Sequence, residues 1–335
     1  MQAAIYGLAG PRLTQEERAF FIDTDPVGYI LFARNCCDPE QLRALTDSLR
    51  DVHGRGDVPI LIDQEGGRVA RMKPPVWPAF PRGEAFDALY QLAPSSAIEA
   101  ARSNARAIAL MLQSAGVNVN CLPMLDVRQP GATDIVGDRA YGSEPMQVAA
   151  LGRAVLDGMA SAGVIGVLKH MPGHGRAMVD SHHELPFVTA SAEELDIDLE
   201  PFERLREAPM GMVAHIVYSA WDAERPSSQS PVVIEQIIRQ RIGFSGLLMT
   251  DDIGMQALSG SPGERSAKAL AAGCDVTLHC TGKFEEMIDV AAHVGDLTPD
   301  GEARLARAMA GVMVTGDGPD LAECVAKRDE LLALV

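Results

Sequence analysis

No apolar run in the 335-residue chain approaches the roughly 18 residues that a membrane span needs. The N-terminus, MQAAIYGLAGPRLTQEERAF, carries no basic region, and Gly7 and Gly10 break its apolar residues before charges follow. That is not the pattern of a secretory signal. Basic residues are in deficit: 29 Lys and Arg stand against 46 Asp and Glu, a formal net charge of -17. Such a surface repels phosphate backbones, which argues against nucleic acid as a partner. Cysteine is scarce. Cys36, Cys37, Cys121, Cys274, Cys280 and Cys324 are the six, and none forms a CxxC pair. The expectation is buried, unpaired thiols in a reducing compartment, hence a cytoplasmic protein. There is also no internal repeat, no low-complexity tract and no Pro/Ser-rich linker long enough to mark a second domain. The balance of 47% hydrophobic and 22% charged residues is ordinary for a globular chain.

What is present is a series of eight short apolar runs: AIYGL (4–8), GYILFA (28–33), PILID (59–63), VNVNCLPML (117–125), VIGVLKH (164–170), GMVAHIV (211–217), GLLMTDD (246–252) and DVTLHC (275–280). Most are continuous rather than alternating, as strands covered on both faces are. Helical patterns lie between most of them, over 38–52, 96–116, 144–163, 230–243 and 261–273. The first opens on a capping aspartate and the second ends in glycine. Two more, over 301–314 and 319–333, follow the eighth run. The alternation predicts an α/β fold, a (β/α)₈ TIM barrel forming a single domain over 1–335, with the helices of 301–333 outside the barrel. A doubly wound open sheet is the alternative, but no GxGxxG follows an early strand. The proline-rich stretch 72–95 reads as an elaborated loop after the third strand.

In such a barrel the chemistry sits where strands end. The third run ends in Asp63, the fifth in Lys169-His170 and the seventh in Thr250-Asp251-Asp252; His215 lies in the sixth and His279 in the eighth. Inside an apolar strand such groups are costly unless paired. His215 and His279 read equally well as satisfied residues of the barrel interior, and Asp63 as a cap on the two glycines that follow. DQEGGRVAR puts Asp63, Arg68 and Arg71 on one loop. An acid and a guanidinium there either grip vicinal hydroxyls of a sugar or pair with each other. Arg139, in GDRAYG, says little alone.

The segment KHMPGHGRAMVDSHHELP (169–186) holds four of the eight histidines. A metal site is one reading, with His170, His174, Asp180 and His182 joined by Asp251. Pro172, Gly173 and Gly175 oppose the helix that would put His170 and His174 on one face. A solvated polar loop is the second reading. The third is acid–base chemistry without metal. Asp180 would orient the His182 ring, and a carboxylate from TDD would act as nucleophile.

DQEGGRVAR, KHMPGHG followed by DSH, and TDD after an apolar strand resemble, in that order, the β-N-acetylglucosaminidases of glycoside hydrolase family 3, of the NagZ type. The resemblance runs from ILFARN (30–35) through TDDIGM (250–255). It implies a (β/α)₈ barrel, with Asp251 as nucleophile, a choice over Asp252 that the residues alone leave open. It implies His182 as acid/base with Asp180 as its partner, and Asp63, Arg71, Arg139, Lys169 and His170 as substrate-binding residues. Gly173 and Gly175 would let the loop fold over the ligand. His174 is expected to shape the loop or support the site. The implied activity is retaining hydrolysis of terminal β-linked N-acetylglucosamine from cytoplasmic anhydro-muropeptides in peptidoglycan recycling. It would proceed through a glycosyl-aspartate in a monomer, with a small carbohydrate as sole partner and no metal or organic cofactor. Two departures are mild: Met171 stands where phenylalanine is frequent, and Thr250 where serine is. A metal-dependent barrel hydrolase, a β-glucosidase or β-xylosidase of the same superfamily, a non-catalytic sugar-binding barrel, and phosphate in place of water as acceptor stay open.

Overall fold

The eight apolar runs become eight parallel strands: Gln2–Gly7, Pro26–Leu31, Ile60–Ile62, Val119–Asn120, Ile165–Met171, Met210–Val213, Leu247–Asp252 and Val276–His279. They close into a barrel in chain order, the last pairing with the first through Ala4 and Thr277, Ile5 and Leu278, and Tyr6 and His279. This computed structural model describes residues 1–131, 134–179, 181, 184–311 and 318–335. Every residue of the first and second strands is buried, which is why these runs are continuous rather than alternating. Two short strands lie outside the barrel, where Phe187–Val188 pairs with Val217–Tyr218.

The helices start and stop where local chemistry requires. Asp38 caps Pro39–His53 by accepting from the Gln41 N–H, and Gly54 ends it at a φ of 63°. Ser261 and Glu264 form a reciprocal cap on Pro262–Ala272. Pro94–Ser114 and Pro145–Ala160 both open on proline and pack against each other. The stretch from 230 is wound as a π-helix over Val232–Ile242. Near the C-terminus, Pro299–Met309 meets the seventh strand and Leu321–Leu332 lies on Pro94–Ser114.

The expectation of a loop over 72–95 needs correction. Gly83–Leu92 is a helix whose Phe86 and Leu89 are buried, and its Asp87 binds Arg128 and Gln147. Three more helices, Gln15–Thr24, Asp196–Arg204 and Phe284–His293, lie where no periodic pattern was evident. The thiols also divide: Cys121, Cys274, Cys280 and Cys324 are buried, but Cys36 is half-buried and Cys37 exposed, and all six are unpaired. No helix of the described residues is long and apolar enough to cross a membrane.

Candidate active site

The third strand delivers Asp63 to the barrel mouth. Gly66 and Gly67, with φ of 107° and 54°, then reverse the chain. The buried Gln64 side chain closes this turn: its Oε1 accepts from the N–H groups of Arg71 and Met72, and its Nε2 donates to the Met72 carbonyl. Arg71 is thereby returned to Asp63, with Nη2 at 3.1 Å from Oδ2. From the fifth strand, the Lys169 ammonium donates to Asp63 Oδ1 at 2.9 Å and to Glu65 Oε1 at 2.6 Å. Arg139 grips Glu65 with both ends of its fork, Nε to Oε2 at 2.8 Å and Nη2 to Oε1 at 2.7 Å. Arg68 takes no part in this frame. It pairs with Asp138 at 2.8 Å and donates to the carbonyls of Asp134 and Ile135.

Burial alone would raise the Glu65 carboxyl, but Arg139 and Lys169 outweigh it and hold the group well below the carboxylate range. Lys169 is the mirror case. Burial would lower it, yet Asp63 and Glu65 raise it, so the ammonium stays charged. Three cations (Arg71, Arg139, Lys169) against two carboxylates (Asp63, Glu65) leave the frame one positive charge. Arg71 Nε is buried with no partner among the described residues, a donor still to be satisfied.

The Lys169–His170 peptide is cis, and so is Met171–Pro172. His170 turns its Nδ1 to the buried Asp126, 2.7 Å from Oδ2. His174 is buried, with Nδ1 unpartnered among the described residues and Nε2 at 3.5 Å from Ser181 Oγ. Burial and the neighbouring His170 push it down to about 4, so its ring is neutral at pH 7. The start of the segment is anchored rather than free. A Cβ at Gly175 would stand 1.9 Å from the Val127 carbonyl oxygen, Tyr218 donates its hydroxyl to the Gly173 carbonyl, and Arg176 binds Asp198 at 2.5 Å. Gly173 has a packing reason too: at a φ of 136°, an added Cβ would stand 2.9 Å from Asp198 Cβ. Asp180, His182 and His183 lie outside the described residues.

The seventh strand ends on two acids with different surroundings. Asp252 Oδ1 accepts from the N–H groups of Gly254 and Cys280, at 2.9 and 3.0 Å. Asp251 accepts from the Asp252 N–H at 2.8 Å, and both acids are half-buried and line the cavity. Thr250 accepts the Leu278 N–H on its hydroxyl at 3.0 Å, a contact that a serine would also make. His215 is a satisfied interior residue, bonded to Ser228 Oγ at 2.7 Å and to the Asp252 carbonyl at 3.0 Å. Among the described residues His279 is bonded on one side only, to Glu286 and Thr281, and neither ring lines the cavity.

The cavity at this mouth has a volume of about 280 Å³. Asp63, Arg71, Arg139, Lys169, His170 and Asp251, six of the residues singled out from the sequence, line it together. Two further groups escaped that reading. Glu65 joins Lys169 to Arg139, and its only signal was its place in DQEGG. Asp126 holds His170, and it follows directly on the fourth apolar run. Carboxylates and cations alternating around a small pocket suit a ligand rich in hydroxyls. Among the described residues no three His, Cys, Asp or Glu side chains are grouped to hold a metal ion.

A parallel eight-stranded barrel with this polar frame and a carboxylate at its C-terminal mouth has the architecture of a barrel glycoside hydrolase. The chain belongs to glycosyl hydrolase family 3, whose N terminal domain pattern matches residues 3–313. A beta-hexosaminidase of Methylococcus capsulatus is 39% identical over 281 residues, 82% of each chain. One of Alkalilimnicola ehrlichii is 37% identical over 306 residues, 90% of this chain and 86% of its own. Among solved structures, NagZ from Neisseria gonorrhoeae in complex with N-trifluoroacetyl-D-glucosamine superposes with a TM-score of 0.86 at 29% identity, over 99% of this chain and 98% of that one. A family 3 beta-N-acetylglucosaminidase from a Paenibacillus strain gives 0.79 at 30% identity, over 98% of this chain and 60% of its own.

Proposed function

We propose that the chain is a retaining exo-β-N-acetylglucosaminidase. It removes terminal β-linked N-acetylglucosamine from anhydro-muropeptides in the cytoplasm, during peptidoglycan recycling, and works as a monomer in one catalytic domain over 1–335. The observation that carries this reading is the convergence of Asp63, Arg71, Arg139, Lys169 and His170 with Asp251 on one cavity. The beta-hexosaminidases at 39% and 37% identity and the sugar derivative bound to the gonococcal NagZ support the acetamido preference.

The five binding groups hold the sugar hydroxyls, with Lys169 and the arginines donating and Asp63 accepting. Asp251 attacks the anomeric carbon. A glycosyl ester forms as the glycosidic bond breaks, and His182, oriented by Asp180, gives its proton to the leaving oxygen. Water then attacks the same carbon, His182 takes the proton, and the ester cleaves to restore the Asp251 carboxylate. Carboxylate and frame stabilise opposite partial charges in the transition state. No step requires a metal or organic cofactor.

The test compares an aryl β-N-acetylglucosaminide with the matching aryl β-glucoside, with and without chelator, with the Asp251→Asn protein alongside. Turnover of the acetamido sugar alone, insensitive to chelator and lost in the variant, is expected. Turnover of the glucoside alone, dependence on added metal, or full activity of Asp251→Asn would overturn the reading.

A further inference from the structure

We infer that Asp126 is a positioning residue of this site: one buried carboxylate sets the tautomer of His170 and pins the start of the segment that carries Asp180 and His182. Asp126 is fully buried, does not line the cavity, and among the described residues accepts three hydrogen bonds. All three come from the fifth-strand segment. Oδ2 faces His170 Nδ1 at 2.7 Å, while Oδ1 receives the backbone N–H of His170 at 3.2 Å and that of His174 at 2.6 Å. Burial would raise this carboxyl, but the His170 ring and the His174 N–H hold it below its ordinary range, so it is ionised.

An ionised carboxylate only accepts. His170 must therefore carry a hydrogen on Nδ1 whether its ring is neutral or charged. The other nitrogen, Nε2, has no partner among the described residues and belongs to a side chain that lines the cavity. The neutral ring thus offers the ligand a lone pair, held at a fixed angle by a group the ligand never touches. This is the logic by which a second carboxylate fixes a functional histidine. The two N–H contacts extend it to the chain beyond, because His174 also begins a turn, its carbonyl accepting from the Ala177 N–H at 3.1 Å. The assignment rests on the proposed role of His170 in binding the sugar.

The experiment uses the full chain with labelled histidine, and ring-nitrogen NMR with a His170→Gln protein to identify the signal. In the wild type the His170 signal should be that of the Nδ1–H form; an Nε2–H form with bare Nδ1 would overturn the inference outright. Asp126→Asn keeps an Oδ1 acceptor for both backbone N–H groups but turns an amide N–H₂ toward the ring. The tautomer should then reverse. KM for the aryl N-acetylglucosaminide should rise about ten- to a hundredfold with kcat within about threefold. Asp126→Ala, which also loses the backbone contacts, should lower kcat as well. An unreversed ring in Asp126→Asn, or a reversed one with KM within about threefold of wild type, would overturn the inference. If the wild type turns over no N-acetylglucosaminide, the proposed activity fails, and the ring spectra alone decide the role of Asp126.

Discussion

Replacing Glu65 by glutamine changes almost no volume and removes one charge from the most tightly paired part of the site. The two carboxylate oxygens take three N–H donors, two from Arg139 and one from Lys169, all within 2.8 Å. Glutamine has a single acceptor oxygen. Its amide N–H₂ must then face a guanidinium or the ammonium, so at least one contact becomes donor against donor. The frame moves from one positive charge to two. Glu65, Lys169 and Arg139 are 6%, 2% and 11% exposed at their side chains, so water does little to compensate. Removing one member of a buried ion pair costs about 3–5 kcal/mol. Urea unfolding followed by circular dichroism at pH 7 should show that loss as a lower midpoint at unchanged slope. kcat/KM should fall with it, because Lys169 and Arg139 lose the group that aims them. A change in unfolding free energy below about 1 kcal/mol, the size of an ordinary surface substitution, would refute the claim that Glu65 organises the frame.

Three other outcomes are expected. His174 has a folded value of about 4 against an ordinary 6.5. Its contribution to stability is therefore full above 6.5 and lost as pH falls toward 4, by about 3 kcal/mol. His174→Gln should flatten that part of the stability–pH profile measured by urea midpoints. Gly175→Ala would drive a methyl group against the Val127 carbonyl, and should cost about 1–3 kcal/mol in thermal unfolding. Gly10→Ala, which meets nothing within 4 Å, serves as its neutral control. Asp252→Asn keeps an Oδ1 acceptor for the Gly254 and Cys280 N–H groups. In steady-state assays it should retain at least about a hundredfold more turnover than Asp251→Asn.

The barrel was legible because its strands are covered on both faces, so burial appears as unbroken apolar runs. Boundaries were less so. The run at 117–125 narrows to Val119–Asn120, since Pro123 has no N–H to give a ladder and the chain next bridges at Met124 to Lys169. The run at 211–217 leaves the barrel after Val213, and its end joins the outer pair with Phe187–Val188. The missed helices have physical reasons. Gln15–Thr24 buries only Glu17 and Phe21 while Ile22 faces water, and Asp196–Arg204 contains Pro201. A helix that buries one or two side chains has little periodicity to read.

The site was legible where a charge stands at the end of an apolar strand, because such a group needs a reason. Asp63, Lys169, His170 and the Asp251–Asp252 pair were singled out that way. Glu65 and Asp126 were missed because each is held by neighbouring side chains, and a carboxylate that binds a neighbour looks in sequence like any other acid. Asp251 and Asp252 show the limit most clearly. Adjacent residues on a strand point to opposite sides, yet Asp251 and Asp252 both line the cavity, so alternation alone does not separate them. Their backbone contacts differ. The eighth strand lies where the Cys280 N–H meets Asp252 Oδ1, and the turn brings the Gly254 N–H to the same oxygen. Backbone contacts therefore occupy Asp252. Asp251, one residue earlier, accepts the Asp252 N–H at 2.8 Å, and as the proposed nucleophile it is the acid that the comparison of Asp251→Asn with Asp252→Asn tests. Those contacts come from residues 254 and 280, and no motif confined to three letters can contain them.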